Sequence, residues 1–181
     1  MTQTIRRLVH TRSIRVEAYL RDDQLWDLVA SLEDVRQRDS LLESGIRRAG
    51  DPFHDMQLTV TIGASMQILD VQASTRAAPF MGNCDSFPEV YRQLIGLNLL
   101  QGFRAAVLER VGGNQGCTHI TELAAVLPTA AIQAFAGAGH RPAHDETAMP
   151  RQLDRCRALR LDGPVVAKLY PRWYRDKGEQ E

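Results

Sequence analysis

Ile14-Arg15-Val16-Glu17-Ala18-Tyr19-Leu20, then Asp22-Asp23-Gln24, then residues 25–32, is the stretch that decides the fold. Ile14, Val16, Ala18 and Leu20 alternate with polar residues, the period-two pattern of a half-buried strand. Leu28, Ala30 and Leu32 share one face of the segment that follows, and Asp22-Asp23-Gln24 suits a hairpin turn between the two. Further on, Glu33-Asp34 opens a polar loop running to Pro52. Met56, Leu58, Val60 and Ile62 then alternate again, Gly63-Ala64-Ser65 turns the chain, and residues 68–73 bring it back. Four strands in two antiparallel hairpins are expected over residues 13–75.

The period then changes to that of a helix. Ser86 can cap and Pro88 suits an early helical position. Val90, Leu94, Leu97, Phe103, Ala106 and Val107 recur at helical spacing, which predicts one long helix ending near Gly112-Gly113. A second helix is expected from about Thr118, with Pro128 kinking or dividing it and Ala130, Ala131 and Ala134 favouring helix beyond. Residues 137–150 read as a polar loop holding His140 and His144. Residues 152–161 read as a short helix, and Tyr170, Trp173 and Tyr174 lie in a tail that docks on the domain. Strands followed by helices give an α+β class. The expectation is an antiparallel sheet from the N-terminal half, packed by helices of residues 87–136, in a single domain over residues 1–181.

Lysine plus arginine equals aspartate plus glutamate at 22 each, so there is no global electrostatic footprint for nucleic acid. Arg6, Arg7, Arg12 and Arg15 form a basic cluster, but acidic residues follow at once. No apolar run reads as a signal peptide or a membrane span, and the expected location is the cytoplasm. The expected partner is a small-molecule substrate, with no nucleic acid and no membrane, and a homo-oligomer stays open. The three cysteines, Cys84, Cys117 and Cys156, are widely spaced and odd in number, which argues against a disulfide framework. Without a Cys-x-x-Cys pair, a closed structural zinc finger is excluded. Walker loops, dinucleotide fingerprints and nucleophile elbows are absent, which disfavours nucleotide cofactors and serine hydrolysis.

The chemistry concentrates at Gly112-Gly113-Asn114-Gln115-Gly116-Cys117-Thr118-His119. A glycine-rich turn there delivers a thiol and an imidazole to a helix start, where free N–H groups and the positive dipole end lower a cysteine pKa. The plainer alternative is that Thr118 caps and Cys117 packs. Glu122 follows within the same turn and could orient His119 or act as a base. His54-Asp55 pairs an imidazole with a carboxylate, suited to metal ligation or acid–base work, or else to a solvated loop. Cys84 lies in a Gly-Asn-Cys-Asp turn, and Asp154-Arg155-Cys156 reads as a salt-bridged surface. The catalytic candidates are His119, Cys117, Glu122 and His54. The candidate metal donors are His54, Asp55, Cys84, Cys117 and His119, a mixed set suited to zinc or another divalent ion.

Nearly the whole chain resembles an uncharacterised family of bacterial proteins, a domain of unknown function. The resemblance is carried by Arg7-Leu8-Val9-His10-Thr11-Arg12-Ser13, His54-Asp55-Met56, Gly116-Cys117-Thr118-His119-Ile120-Thr121-Glu122-Leu123 and Leu153-Asp154-Arg155-Cys156. It implies a place in the catabolism of lignin-type and hydroxycinnamate-type aromatics, hence a lyase or isomerase using acid–base chemistry, with or without metal assistance. A second resemblance, over residues 13–136, is to the scaffold proteins of iron–sulfur cluster assembly. Gly50-Asp51-Pro52-Phe53-His54-Asp55-Met56 stands where their first ligand turn would be, Cys84 near their second cysteine, and Cys117-Thr118-His119 near their helix-opening His-Cys pair. The first cysteine is missing and the pair is reversed, which puts a three-thiolate cradle in doubt. That resemblance implies the alternative function, a metal- or cluster-binding scaffold or a protein-interaction module.

Overall fold

The computed structural model describes residues 4–86, 88–137 and 148–176. The chain forms two compact units, residues 1–131 and 132–181.

The first unit is built on a four-stranded antiparallel sheet in the order β1-β2-β5-β6. Its strands are β1 (His10–Leu20), β2 (Trp26–Arg36), β5 (Pro52–Ile62) and β6 (Ile68–Ala77). A small hairpin of β3 (Ser40–Leu42) and β4 (Gly45–Arg47) interrupts the connection from β2 to β5. Gln24, at φ 66°, makes the tight turn between β1 and β2. Side-chain alternation sorts the sheet into two faces. Trp26, Leu28, Ala30 and Leu32 on β2 pair with Ile62, Val60, Leu58 and Met56 on β5, and all are buried. Helices cover this face over β2, β5 and β6, whereas Ile14 and Leu20 on the edge strand β1 stay exposed. The α+β architecture, a sheet from the N-terminal half packed by later helices, is that expected from the change of period.

Several elements differ from the sequence reading, first the end of β2 and the β3–β4 hairpin, which occupy the stretch expected as a polar loop. The expected long helix is broken into a 3-10 helix, Pro88–Leu94, and α1, Phe103–Val111. Gly96 and Gly102, at φ 87° and 59°, turn the backbone out of the helical region between them. The freed segment pairs with the start of β6: Ile68 N–H donates to the Leu97 carbonyl at 2.8 Å and Gly96 N–H to the Ile68 carbonyl at 2.9 Å. Leu94, one of the apolar positions that imitated helical spacing, and Leu99 are buried on either side of this pairing.

The second helix, α2 (Thr118–Gly137), runs through Pro128 undivided. Proline removes one N–H and displaces the carbonyls of the preceding turn. The N–H lost at Pro128 is the one that would bond the Ala124 carbonyl; beside it, Arg104 Nε donates to the Ala125 carbonyl at 3.1 Å. Among the described residues, α2 is the one helix long and apolar enough to cross a membrane by length and composition. Its stripe of Ile120, Leu123, Ala124, Leu127 and Ala131 is buried in the protein.

In the second unit the expected helix at 152–161 is a run of turns with one 3-10 turn, Arg157–Leu159, and α3 forms later, at Pro164–Leu169. Leu153, Leu161 and Val166 form its buried cluster, with Leu159, Tyr170 and Trp173 packed against it. The aromatic tail therefore supplies core to its own unit. His140 and His144 lie outside the described residues.

Candidate functional site

At one end of the buried sheet face the apolar rows give way to a polar one. The register pairs Arg12 with Asp34 and Asp34 with His54, so the three side chains project from neighbouring strands toward the same side. His10, two residues before Arg12, joins the row. Asp34 is 2% exposed, which makes it a buried carboxylate continuing the line of Trp26, Leu28, Ala30 and Leu32.

Four short hydrogen bonds converge on that carboxylate. Oδ1 accepts from His10 Nε2 at 2.9 Å and Arg12 Nε at 2.8 Å. Oδ2 accepts from Arg12 Nη2 and His54 Nδ1, both at 2.8 Å. Arg12 thus grips Asp34 bidentately, the strongest geometry available to an ion pair. Burial pushes the Asp34 carboxyl up, but the bonds from Arg12, His54 and His10 outweigh it and hold the group well below the usual carboxylate range. It stays ionised.

An ionised carboxylate only accepts, so His54 carries its proton on Nδ1. Burial of His54 lowers its pKa, and its attraction to Asp34 does not fully restore it, with the Arg12 and Arg36 charges also opposing protonation. The ring is therefore neutral near pH 7, with Nε2 bare. Among the described residues Nε2 has no hydrogen-bond partner, and His54 lines a cavity of about 740 Å³.

The start of α2 brings the second imidazole. Cys117 precedes the helix, and its carbonyl accepts the first helical bond, from Thr121 N–H at 2.9 Å. Tyr91 Oη fixes this corner from both sides: it accepts from Cys117 N–H at 2.7 Å and donates to the Cys117 carbonyl at 2.9 Å. Gly116 is required here, because a Cβ would stand 2.6 Å from the Val111 carbonyl oxygen and 2.9 Å from Tyr91 Oη. So held, His119 stacks on His54 with ring centroids 4.0 Å apart and places Nε2 3.8 Å from Asp34 Oδ2. Its Nδ1 lies 3.6 Å from Cys117 Sγ, which also contacts Met56 Sδ at 3.7 Å. Burial pushes the Cys117 thiol up, but His119 and the backbone N–H groups of Ile120 and His119 pull it down further, leaving it below an ordinary thiol.

The sequence candidates divide accordingly. His54, Cys117 and His119 meet at one place. Glu122 is half-exposed and bonds Arg12 Nη1 at 2.7 Å rather than His119, so it braces the arginine that grips Asp34. Asp55 does not join the cluster: strand alternation turns it to the opposite face, where Arg76 holds it bidentately at 2.7 and 2.9 Å. Cys84 lines a separate cavity of about 240 Å³ with Cys117, Tyr91 and Asp85, and its carbonyl accepts from Thr75 Oγ1. Cys156 is exposed in the second unit.

Asp34, His10 and Arg12 were missed by the sequence reading, which ended the second strand at residue 32 and began the first at residue 13. Parity was the available signal, since His10 and Arg12 continue the Ile14-Val16 row and Asp34 continues the Leu28-Leu32 row.

One ligand atom each from Asp34, His54 and His119 lies within 4.8 Å of the others, a set that could hold a metal ion. Two histidines and a carboxylate are a donor set for a catalytic divalent ion with an open position.

Residues 10–133, which contain every member of the cluster, match the family described as "Protein of unknown function (DUF2889)". No curated protein and no solved structure gives a match.

Proposed function

Because the chain belongs to the DUF2889 family, whose description assigns no activity, function has to be argued from the site, and we propose a small-molecule enzyme that moves a proton with His54. One observation carries this reading: a neutral, half-buried imidazole on the wall of a cavity is oriented by an ionised, fully bonded carboxylate, and its Nε2 has no hydrogen-bond partner among the described residues. A positioned base of this kind contributes roughly 10²–10⁴-fold to proton transfer. Asp34 fixes the tautomer, and Arg12 and His10 fix Asp34. His119, stacked on His54 and backed by the Cys117 thiol, is the second proton carrier.

With one group to remove a proton and another to return it, the reaction class is a lyase or isomerase step. The substrate proposed is a lignin-type aromatic intermediate, and the place is the cytoplasm. In an isomerase cycle His54 Nε2 takes a proton from substrate carbon, and His119 delivers one at the new position. In a lyase cycle the second transfer goes to the leaving group.

A second reading has its own support, the spacing of the Asp34, His54 and His119 donors. A divalent ion such as zinc would there polarise a substrate oxygen. The 2.8 Å approach of His54 Nδ1 to Asp34 Oδ2 supports the metal-free base instead. Two ligands about 2.1 Å from one tetrahedral zinc stand farther apart than that.

The test is proton exchange. A panel of hydroxycinnamate-type and β-ether aromatics is incubated with the protein in D2O and followed by NMR. Deuterium is expected to enter a carbon position, at a rate reduced at least about 100-fold in His54→Gln. Turnover that survives His54→Gln overturns the proposal. Metal analysis of protein purified without a histidine tag separates the two readings. A stoichiometric iron–sulfur chromophore would replace both with the scaffold function.

A further inference from the structure

The wall of the large cavity carries more positive charge than its own residues neutralise. Arg7, Arg12, Arg36 and Arg38 line it together with His54 and Phe53. The one carboxylate on the wall, Asp34, is already filled by four donors. Arg12 is committed to Asp34 and Glu122. Arg36 lies 3.4 Å above the Phe53 ring and reaches Ser40 Oγ at 3.3 Å. Arg7 and Arg38 have no hydrogen-bond or ion-pair partner among the described residues. Four arginines therefore line a cavity whose one carboxylate has no acceptor capacity left, and Glu122, outside the wall, pairs with Arg12 alone.

Beside these charges the wall is apolar. Leu8 and Val9 line the same cavity and are 64% and 61% exposed, a large apolar exposure for adjacent residues. A volume of about 740 Å³ lies within the range of small-ligand sites, roughly 300–1,000 Å³.

We infer that this cavity binds a small organic anion, with its carboxylate or phosphoryl group on Arg7 and Arg38 and its apolar body along Leu8, Val9 and Phe53. Guanidinium groups match both head groups bidentately. In this pose the apolar body lies next to His54. The inference names the substrate class of the proton-transfer site proposed above and rests on that reading for its catalytic meaning. The binding itself stands on the cavity alone.

Isothermal titration of the full chain with benzoate, phenyl phosphate and benzamide tests it. At least one anion is expected to bind about tenfold or more tightly than neutral benzamide, a difference worth about 1.4 kcal/mol. Raising ionic strength from about 0.02 M to about 0.3 M should weaken that anion and leave benzamide unchanged. An Arg7→Gln/Arg38→Gln double variant should lose the anion preference, and Arg38→Glu should lose it more completely. Both positions are exposed, so each variant can be checked for an unchanged fold by circular dichroism. Benzoate binding more tightly assigns a carboxylate ligand, and phenyl phosphate binding more tightly assigns a phosphoryl ligand. Equal binding of all three, no binding of either anion, or a preference indifferent to both arginines overturns the inference. The His54→Gln protein keeps the two proposals apart. Anion binding retained there, with no proton exchange in the wild type, leaves the anion site standing and removes the catalytic reading. Exchange on a neutral substrate, with no anion preference, does the reverse.

Discussion

Two carboxylates on this sheet each take a bidentate grip from an arginine, yet they occupy different worlds. Asp34 faces the helices, with a side chain 3% exposed and two imidazoles added to its arginine. Asp55 faces away, its side chain 21% exposed and its partner Arg76 more than half exposed. Glu33 pairs with Asp55 across β2 and β5, and Asp34 pairs with His54, so one step along either strand separates the two settings. The same ion-pair chemistry is the buried hub of a polar cluster on one face and a surface contact on the other. Strand parity decides between them.

The largest expected effect is on Asp34. Replacing it by alanine leaves Arg12 and two imidazoles facing an empty buried position. Breaking a buried pair from one side costs about 3–5 kcal/mol. Urea unfolding of Asp34→Ala should show a loss of that order, with the slope unchanged. A loss near that of a surface substitution would mean that the cluster reorganises easily and that the two faces are energetically alike.

Acid sharpens the same contrast. The folded-state carboxyl of Asp34 lies below its unfolded value, so its stabilisation is complete above the ordinary carboxylate pKa of about 4 and is lost as pH falls below that. The stability gap between wild type and Asp34→Asn should therefore be widest near neutrality and narrow steadily from about pH 5 downward. Unfolding free energies measured at successive pH values give the curve. A gap that holds constant to pH 3, or widens there, would contradict the assignment of Asp34 as the ionised centre.

The inner face makes a further prediction at Cys117, whose thiol is set by His119. In a Cys84→Ser/Cys156→Ser background, alkylation of Cys117 should rise with pH through an inflection below the free-thiol value of about 8.5. His119→Ala should move the inflection upward, because burial then acts with less opposition. Reaction in denaturant alone would mark Cys117 as packing and leave His54 and Asp34 as the chemistry of the site.

Much of this was legible in the sequence. The β1–β2 hairpin, the β5–β6 return and the late helices follow from alternation and spacing, and His54, Cys117 and His119 stood out by residue type. The hub did not. Asp34 sits directly after Glu33, and two acids in succession look like the start of a loop. In fact β2 continues to Arg36, with a register shift only after Asp34. A charged residue within a strand is invisible to an apolar-alternation rule until its partners are known, and those partners lie on two other strands. His10 and Arg12 were hidden for the same reason, at the polar end of an exposed edge strand. Asp55 erred in the opposite direction: adjacency to His54 suggested a dyad, but successive residues of a strand face opposite ways. The overlong helix failed on glycine, since Gly96 and Gly102 adopt positive φ and let residues 96–99 pair with residues 66–68 at the start of β6.

The smallest effect closes the comparison from the outer face. Asp55 and Arg76 form two bonds of good length, and geometry alone would rank them with Asp34 and Arg12. Solvent separates the cases. Arg76 is 56% exposed, so water competes for its guanidinium and salt screens the pair. Exposed pairs of this kind give about 0.2–1 kcal/mol in double-mutant cycles. Asp55→Ala, Arg76→Ala and the double variant should therefore show a coupling inside that range, falling further at high salt, with proton exchange by His54 unchanged in all three proteins. Coupling of several kcal/mol would mean that something covers this face in solution and desolvates the pair. An altered exchange rate would mean that Asp55 acts on its neighbour His54 through the strand, and parity would no longer separate the two carboxylates.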